Sequence, residues 1–263
     1  MATVTGAHAE RIGRARDLLG VKGRREHGRF AFEGPTLLDE ALRSGIPVEE
    51  LYVTQRVLDA NATVAKLDRD GHAVFLVDER TMAKISDLET PTGLVGVAPL
   101  RFMPLPELLA APLALVLADI NDPGNAGTLL RSAEAFGAAG VVFGSSGVDP
   151  YHPKVVRGAM GAIFRLGLAV ADPPALRAAA QSAACEVVGL DAGGPDVAAG
   201  PWGERTALVV GHERRGLGPW GSVCERRLGI PMLDAAESLN AAVAGSIALY
   251  EASKRAVKRA PKA

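Results

Sequence analysis

The chain has 263 residues, enough for one large domain or two modest ones. A hydrophobic fraction of 48% supplies a full core, and a charged fraction of 22% excludes wholesale disorder. With a formal net charge of −1 the molecule is no polycation, so nucleic-acid contact requires local basic patches.

In chain order, the first feature is basic. Between Arg11 and Arg29 lie Arg11, Arg14, Arg16, Lys22, Arg24, Arg25 and Arg29, against only Asp17 and Glu26. Such a run is commonly a solvated helix face. Short apolar runs follow at Phe30 to Glu33, Leu51 to Val53, Ala73 to Val77 and Leu94 to Ala98, which read as strands. Pro35 to Ser44 reads as a helix, with Leu37, Leu38, Ala41 and Leu42 in one stripe and Gly45 as its stop. Strand alternating with helix predicts a compact α/β domain over residues 1–98. Pro99, Pro104, Pro106 and Pro112 then deny regular hydrogen bonding and predict a linker over 99–112.

From 113 to 263 the alternation sharpens. Leu113 to Ala118, Gly140 to Phe143, Val187 to Leu190 and Ala207 to Val210 are wholly apolar, as strands buried on both faces should be. This predicts a doubly wound parallel sheet whose ligand site lies beyond the strand C-termini. A last helix is expected from about Ser238 to Arg259, with Leu239, Val243, Ile247 and Tyr250 on a shared face that is buried in its first half.

Three stretches put glycines and polar groups at loops around this sheet. The first is Asp119-Ile-Asn-Asp-Pro-Gly-Asn-Ala-Gly-Thr-Leu-Leu-Arg131, a strand end, a Pro-Gly turn and a helix start that Asn125 can cap. Free N–H groups there suit an anion, although a plain turn with a solvated Arg131 fits as well. The second, Val209-Val-Gly-His-Glu-Arg-Arg-Gly-Leu-Gly218, nearly matches a P-loop, but Leu217 stands where the phosphate-binding Lys belongs. Nucleotide hydrolysis is therefore unsupported, and Glu213 alone reads as a solvated charge. The third is Ile230-Pro-Met-Leu-Asp-Ala-Ala-Glu-Ser-Leu-Asn240, where Ser238 or Asn240 can cap the last helix.

Other chemistries find little support. His8, His27, His72, His152 and His212 are scattered singly, with no metal-ligand spacing, and no nucleophile–base arrangement stands out. Cys185 and Cys224 are too few for a zinc cluster or disulfide framework, which suits a reducing, cytoplasmic setting. No run is long and apolar enough to indicate a signal peptide or membrane span.

In this order, the three stretches resemble the three motifs of the SpoU (TrmH-type) RNA ribose 2′-O-methyltransferases of the SPOUT superfamily. The resemblance rests on Asp122, Pro123, Asn125, Gly127 and Arg131, then Gly211, Glu213 and Gly216, then Ile230, Pro231, Met232, Ser238, Leu239 and Asn240. It covers roughly Leu113 to Arg255. His212 stands where the family usually has Asn, and Ala241-Ala242-Val243-Ala244 lacks the family's usual hydroxyl. The front part, at Lys22 to Gly34, is similar to the RNA-binding α/β domain that many such enzymes carry.

The resemblance implies a trefoil knot in the C-terminal domain and S-adenosylmethionine held near Gly211, Ile230, Met232 and Leu239. It also implies a homodimer that methylates a ribose 2′-hydroxyl, most naturally of 23S ribosomal RNA, with no metal. Arg131, Asn125, Glu213, Ser238 and Asn240 are then the expected catalytic set. Arg11, Arg14, Lys22, Arg24, Arg25 and Arg29 become the expected RNA contacts. A tRNA methyltransferase and a catalytically silent RNA-binding protein of the same fold are the alternatives.

Overall fold

The computed structural model describes residues 2–4, 6, 9–212, 214–233 and 238–259, the last five of these as backbone. The chain divides into two compact units, Met1–Arg101 with Tyr151–Phe164, and Phe102–Pro150 with Arg165–Ala263.

The first unit is built on a five-stranded sheet. Its strands are Thr3–Val4 (β1), Arg29–Glu33 (β2), Glu50–Val53 (β3), Val74–Leu76 (β4) and Leu94–Pro99 (β5). Their order is β1-β4-β3-β5-β2; β1, β4 and β3 run parallel, and β5 is antiparallel to both its neighbours. Phe32 lies opposite Gly96, where a Cβ would meet the ring at 2.2 Å, so glycine makes room for the aromatic. The predicted helix forms over Pro35–Arg43, with Gly45 beyond it at φ 65°. Residues 151–164 come from much later in the chain, yet Tyr151 stacks on Phe30 at a ring separation of 4.4 Å.

The prolines of 99–112 do not abolish regular structure. Pro99 closes β5, and Leu105–Leu109 is a helix with Pro104 at its N-cap and Pro106 in its first turn. Proline is tolerated there because the first N–H groups of a helix have no intrahelical partner.

The second unit holds a six-stranded sheet, and all its pairings are parallel. Its strands are Leu113–Leu117 (β6), Gly140–Gly144 (β7), Gly167–Ala171 (β8), Glu186–Leu190 (β9), Thr206–Val210 (β10) and Arg226–Leu228 (β11), ordered β11-β9-β10-β6-β7-β8. Every residue of β6, β7 and β10 is buried, which is why these strands are apolar at every position but Thr206. The two edge strands, β8 and β11, lack that signature: β8 exposes Val170, and β11 begins Arg226-Arg227. The chain winds from β6 one way to β8, then returns to fill the other side. The order therefore reverses between β6 and β10, where a doubly wound sheet opens a ligand crevice.

The last helix runs over Ala241–Arg259 and buries the face opposite to the expected one. Ala241, Ala242, Ala248, Leu249 and Ala252 are buried, whereas Val243 and Tyr250 are half exposed and Ile247 is partly buried. The reason is steric. This helix packs closely on Pro123–Ala135, with Ser132 Oγ and Ser246 Oγ 2.7 Å apart. A Cβ at Gly245 would lie 2.5 Å from Leu129 Cδ2. At Gly245 no side chain fits beside Leu129, and while Leu249 further along stays buried, Val243 and Tyr250 point outward.

Candidate active site

Three strand ends carry the polar loops. After β6 the backbone turns sharply at Asp119, which adopts φ 54°, an uncommon conformation for a residue with a Cβ. Its carboxylate accepts the Trp220 indole N–H at 2.9 Å, joining the loop after β6 to the one after β10. The helix that follows is capped by Asp122, whose Oδ1 accepts the Asn125 amide at 2.7 Å. Asn125 is thus not the expected cap. It sits in the first turn, because Pro123 takes the first helical position and leaves Asp122 outside.

Displaced from capping, the Asn125 side chain does something else. Its Oδ1 accepts from Asn240 Nδ2 at 3.0 Å. Asn240 in turn caps the last helix, its Oδ1 accepting from the Ala242 and Val243 amides at 2.8 and 3.2 Å. One amide side chain therefore fixes a helix start and ties the third motif to the first, 115 residues away.

Beyond β10, the second motif forms a tight turn. His212 and Gly216 exchange backbone hydrogen bonds, both 2.9 Å, and Gly216 takes φ 57°. A Cβ on Gly211 would come within 2.4 Å of the Gly216 carbonyl carbon, so bare backbone is required where the turn folds back. This turn walls an open cleft with ≈ 620 Å³ of empty space including its mouth. The expected cofactor residues Gly211, Ile230, Met232 and Leu239 all line it, as does Ser238.

The cleft also has walls that sequence reasoning missed. Leu190, Asp191 and Ala192 follow β9, and His212 stands with them. The rule that ligands sit past the C-termini of parallel strands would have pointed to Asp191, since β9 was legible. Asp119 carried the same signal at the end of β6, but its bond to Trp220, 101 positions away, was not legible. Arg131 lies exposed on the helix of the first motif, and no hydrogen bond or ion pair engages it among the described residues. Glu213 lies outside the described residues. Among the described residues no group of three or more His, Cys, Asp or Glu could hold a metal, and no helix is long and apolar enough to cross a membrane.

The basic segment of the first unit is less uniform than its sequence suggests. Lys22 and Arg25 are exposed, Lys22 beside Glu26 at 3.7 Å. Arg14 pairs with Glu10 at 2.8 Å, Arg29 pairs with Glu49, and the Arg11 guanidinium lies 3.9 Å from the centre of the Phe75 ring. Arg24 is not a surface residue: it is 2% exposed and donates to the carbonyls of Leu18 and Leu19 at 2.9 and 3.0 Å. It completes the carbonyls at the end of the preceding helix, an internal duty that removes it from the RNA-contact set.

A parallel α/β sheet whose segments after β9, β10 and β11 line one cleft, with the loop after β6 bonded to them, defines a ligand-binding domain of the doubly wound class. The comparisons narrow that class. The SpoU rRNA Methylase family model matches residues 112–250, and the MRM3-like substrate binding domain matches residues 9–96. The chain belongs to the SpoU rRNA methylase family. It is 30% identical over 255 residues to the 23S rRNA (guanosine(2553)-2′-O)-methyltransferase RlmP of Bacillus subtilis, covering 95% of this chain and 98% of that one. It is 31% identical to the 23S rRNA (uridine(2479)-2′-O)-methyltransferase of Streptomyces viridochromogenes, covering 91% and 88%. The AdoMet-bound rRNA methyltransferase of Sinorhizobium meliloti superposes with a TM-score of 0.82 at 27% identity, over 96% of this chain and 98% of that one.

Proposed function

We propose that this protein transfers a methyl group from S-adenosylmethionine to a ribose 2′-hydroxyl of 23S ribosomal RNA, acting as a cytoplasmic homodimer. The observation that carries the reading is the Asn240–Asn125 hydrogen bond, which fastens the Arg131 helix to the segment that lines the cleft.

The cleft suits the cofactor. Its Gly211 wall is bare backbone that no side chain could share, and Ile230, Met232 and Leu239 add apolar surface for a flat base. Bound there, S-adenosylmethionine supplies a methyl group activated by an adjacent sulfonium. The protein's own task is to orient the ribose oxygen and stabilise the charge that grows on it. Arg131 fits that second role: a guanidinium stays protonated, so it is a poor base but a strong donor to phosphate and to a developing alkoxide. Asn125 and Asn240 position its helix, Ser238 stands at the cleft wall, and Glu213, outside the described residues, completes the proposed catalytic set.

Two further features belong to the proposal. A trefoil knot is supported by the tight packing of residues 228–230 against the loop after β9: a Cβ on Gly229 would lie 2.6 Å from the Gly194 oxygen, and Val197 N–H bonds Gly229 O at 2.7 Å. The homodimer is supported by the outward Leu239, Val243 and Tyr250, 39%, 48% and 49% exposed, which leave an apolar stripe beside the cleft.

The test is methyl transfer from labelled S-adenosylmethionine to 23S rRNA, with Arg131→Ala as control. Losing one principal electrostatic contact lowers turnover by ~10² or more, while cofactor affinity stays as in the wild type. Turnover undiminished in the variant overturns the assignment of Arg131.

A further inference from the structure

We propose that Arg214 and Arg215, at the tip of the motif-two turn, grip the phosphate backbone of the substrate RNA at the rim of the cofactor cleft. The inference rests on the reading above that RNA is the substrate, and adds a contact site outside the basic N-terminal segment.

The second unit engages most of its other arginines internally. Arg165 pairs with Glu134, Arg226 with Glu186 at 2.7 Å and Arg227 with Asp191 at 3.0 Å. Arg177 donates to the Ser222 carbonyl, and Arg205 to the Ala183 carbonyl at 2.6 Å. Of the arginines whose side chains are described in this unit, Arg131, Arg214 and Arg215 are left without a side-chain hydrogen bond or ion pair among the described residues. Arg131 is already assigned to the chemistry. The other two are adjacent and fully on the surface, in a protein whose formal net charge is −1. Two neighbouring guanidiniums paired with no carboxylate among the described residues form a local positive point suited to phosphate oxygens.

Hydrogen bonds within the turn present the two arginines beside the cleft. The turn is closed at its base by the reciprocal His212–Gly216 bonds, and His212 Nδ1 accepts the Arg214 amide N–H at 3.1 Å. That bond spans two residues, as the side-chain bond of an asparagine turn does. The imidazole thus makes an asparagine-like local bond at the position where the family motif usually has Asn, while His212 stays among the cleft-lining residues. The bonded base of the turn sets the two arginines two to four residues from the cleft-lining Gly211 and His212. That offset is what a substrate contact needs if the ribose is to arrive in register with the methyl donor.

The test compares the wild type with the double variant Arg214→Gln/Arg215→Gln and with Arg214→Lys/Arg215→Lys. Cofactor affinity is read by calorimetry, RNA affinity by filter retention across a salt series, and methylation by steady-state kinetics. For the glutamine variant the expected result is an RNA dissociation constant and KM raised about tenfold near 0.1 M salt. The slope of log affinity against log salt should become shallower by about 1.4 to 1.8, since each phosphate contact contributes roughly 0.7 on a single strand and 0.9 on a duplex. S-adenosylmethionine affinity and kcat at saturating RNA stay within about twofold, and the lysine variant recovers most of the binding. An unchanged salt slope overturns the proposal, and so does a loss of cofactor affinity or of kcat without a change in KM. Wild-type protein that binds RNA with the arginine-dependent slope but transfers no methyl group overturns the activity instead and leaves the grip standing.

Discussion

Asn240 does two jobs with two ends of one amide, and the jobs can be separated. Its Oδ1 caps the last helix and its Nδ2 holds Asn125. Replacing Asn240 by Ala removes both; replacing it by Ser keeps a good capping oxygen but is too short to reach Asn125. The cap is worth about 1 kcal/mol, and the exposed amide–amide bond adds about 0.5 kcal/mol. Asn240→Ala should therefore lower stability by ~1.5 kcal/mol, which for a chain of this size shifts the melting midpoint by roughly 3 to 6 °C. Asn240→Ser should stay within about 0.5 kcal/mol of the wild type. In the methyl-transfer assay the two should converge, because both release the helix that carries Arg131. A loss of about 1 Å in alignment costs on the order of 10²-fold in rate, so Asn240→Ser is expected to be nearly as stable as the wild type and as impaired as Asn240→Ala. Full activity in the serine variant, with its cap intact, would show that the Asn240–Asn125 link does nothing for the chemistry.

The remaining predictions address other parts of the molecule. Arg24→Ala leaves two buried carbonyls unsatisfied and should destabilise the first unit by about 2 to 4 kcal/mol, whereas Arg25→Ala should leave the melt unchanged and weaken RNA binding; thermal unfolding and filter binding separate the two. Gly211→Ala would drive a Cβ into the Gly216 backbone, so calorimetry should show S-adenosylmethionine affinity falling by tenfold or more, about 1.4 kcal/mol. Burial pushes the Cys224 thiol up to about 11. At pH 8 it should therefore alkylate about two orders of magnitude more slowly than an unperturbed cysteine. By linkage, its contribution to stability is present below the unfolded thiol's range and is lost as pH rises towards 11. Mass-spectrometric labelling rates and melts at pH 8 and pH 10.5 check both.

Strands buried on both faces were the most legible part of the sequence, because burial forces β6, β7, β9 and β10 to be apolar at nearly every position. Edge strands are not so constrained, and β8 and β11 passed unseen. Residues 151–164 illustrate a different limit: nothing local in Tyr151 or Phe164 says that they join the first unit, since that depends on partners such as Phe30 and Phe32 more than a hundred residues earlier. The cleft residues Gly211, Ile230, Met232 and Leu239 were legible as motif members, yet the bond that unites the motifs was not. Asn125 is a plausible cap by residue type. Only the position of Pro123 passes that duty to Asp122 and releases the Asn125 side chain to meet Asn240.

The misjudged face of the last helix connects these points. A stripe of large apolar residues marks the buried face when a helix packs at ordinary distance on a core. Here the partner helix approaches so closely that Gly245 has no room for a Cβ beside Leu129, and the seam at that point accepts glycine in place of leucine. Close approach is also what the site needs: it brings the N-termini of the two helices near enough for Asn240 to reach Asn125 with a side chain of two rotatable bonds. The same geometry that assembles the site thus expels Val243 and Tyr250 to the surface. Water is a poor neighbour for them, so a second copy of the chain covering that stripe would satisfy a demand created by the packing of the site itself. Replacing Val243 and Tyr250 together by Asp and Ser should then yield monomers in analytical ultracentrifugation with the helix–helix seam intact. A variant that sediments as the wild type does would place the subunit interface elsewhere.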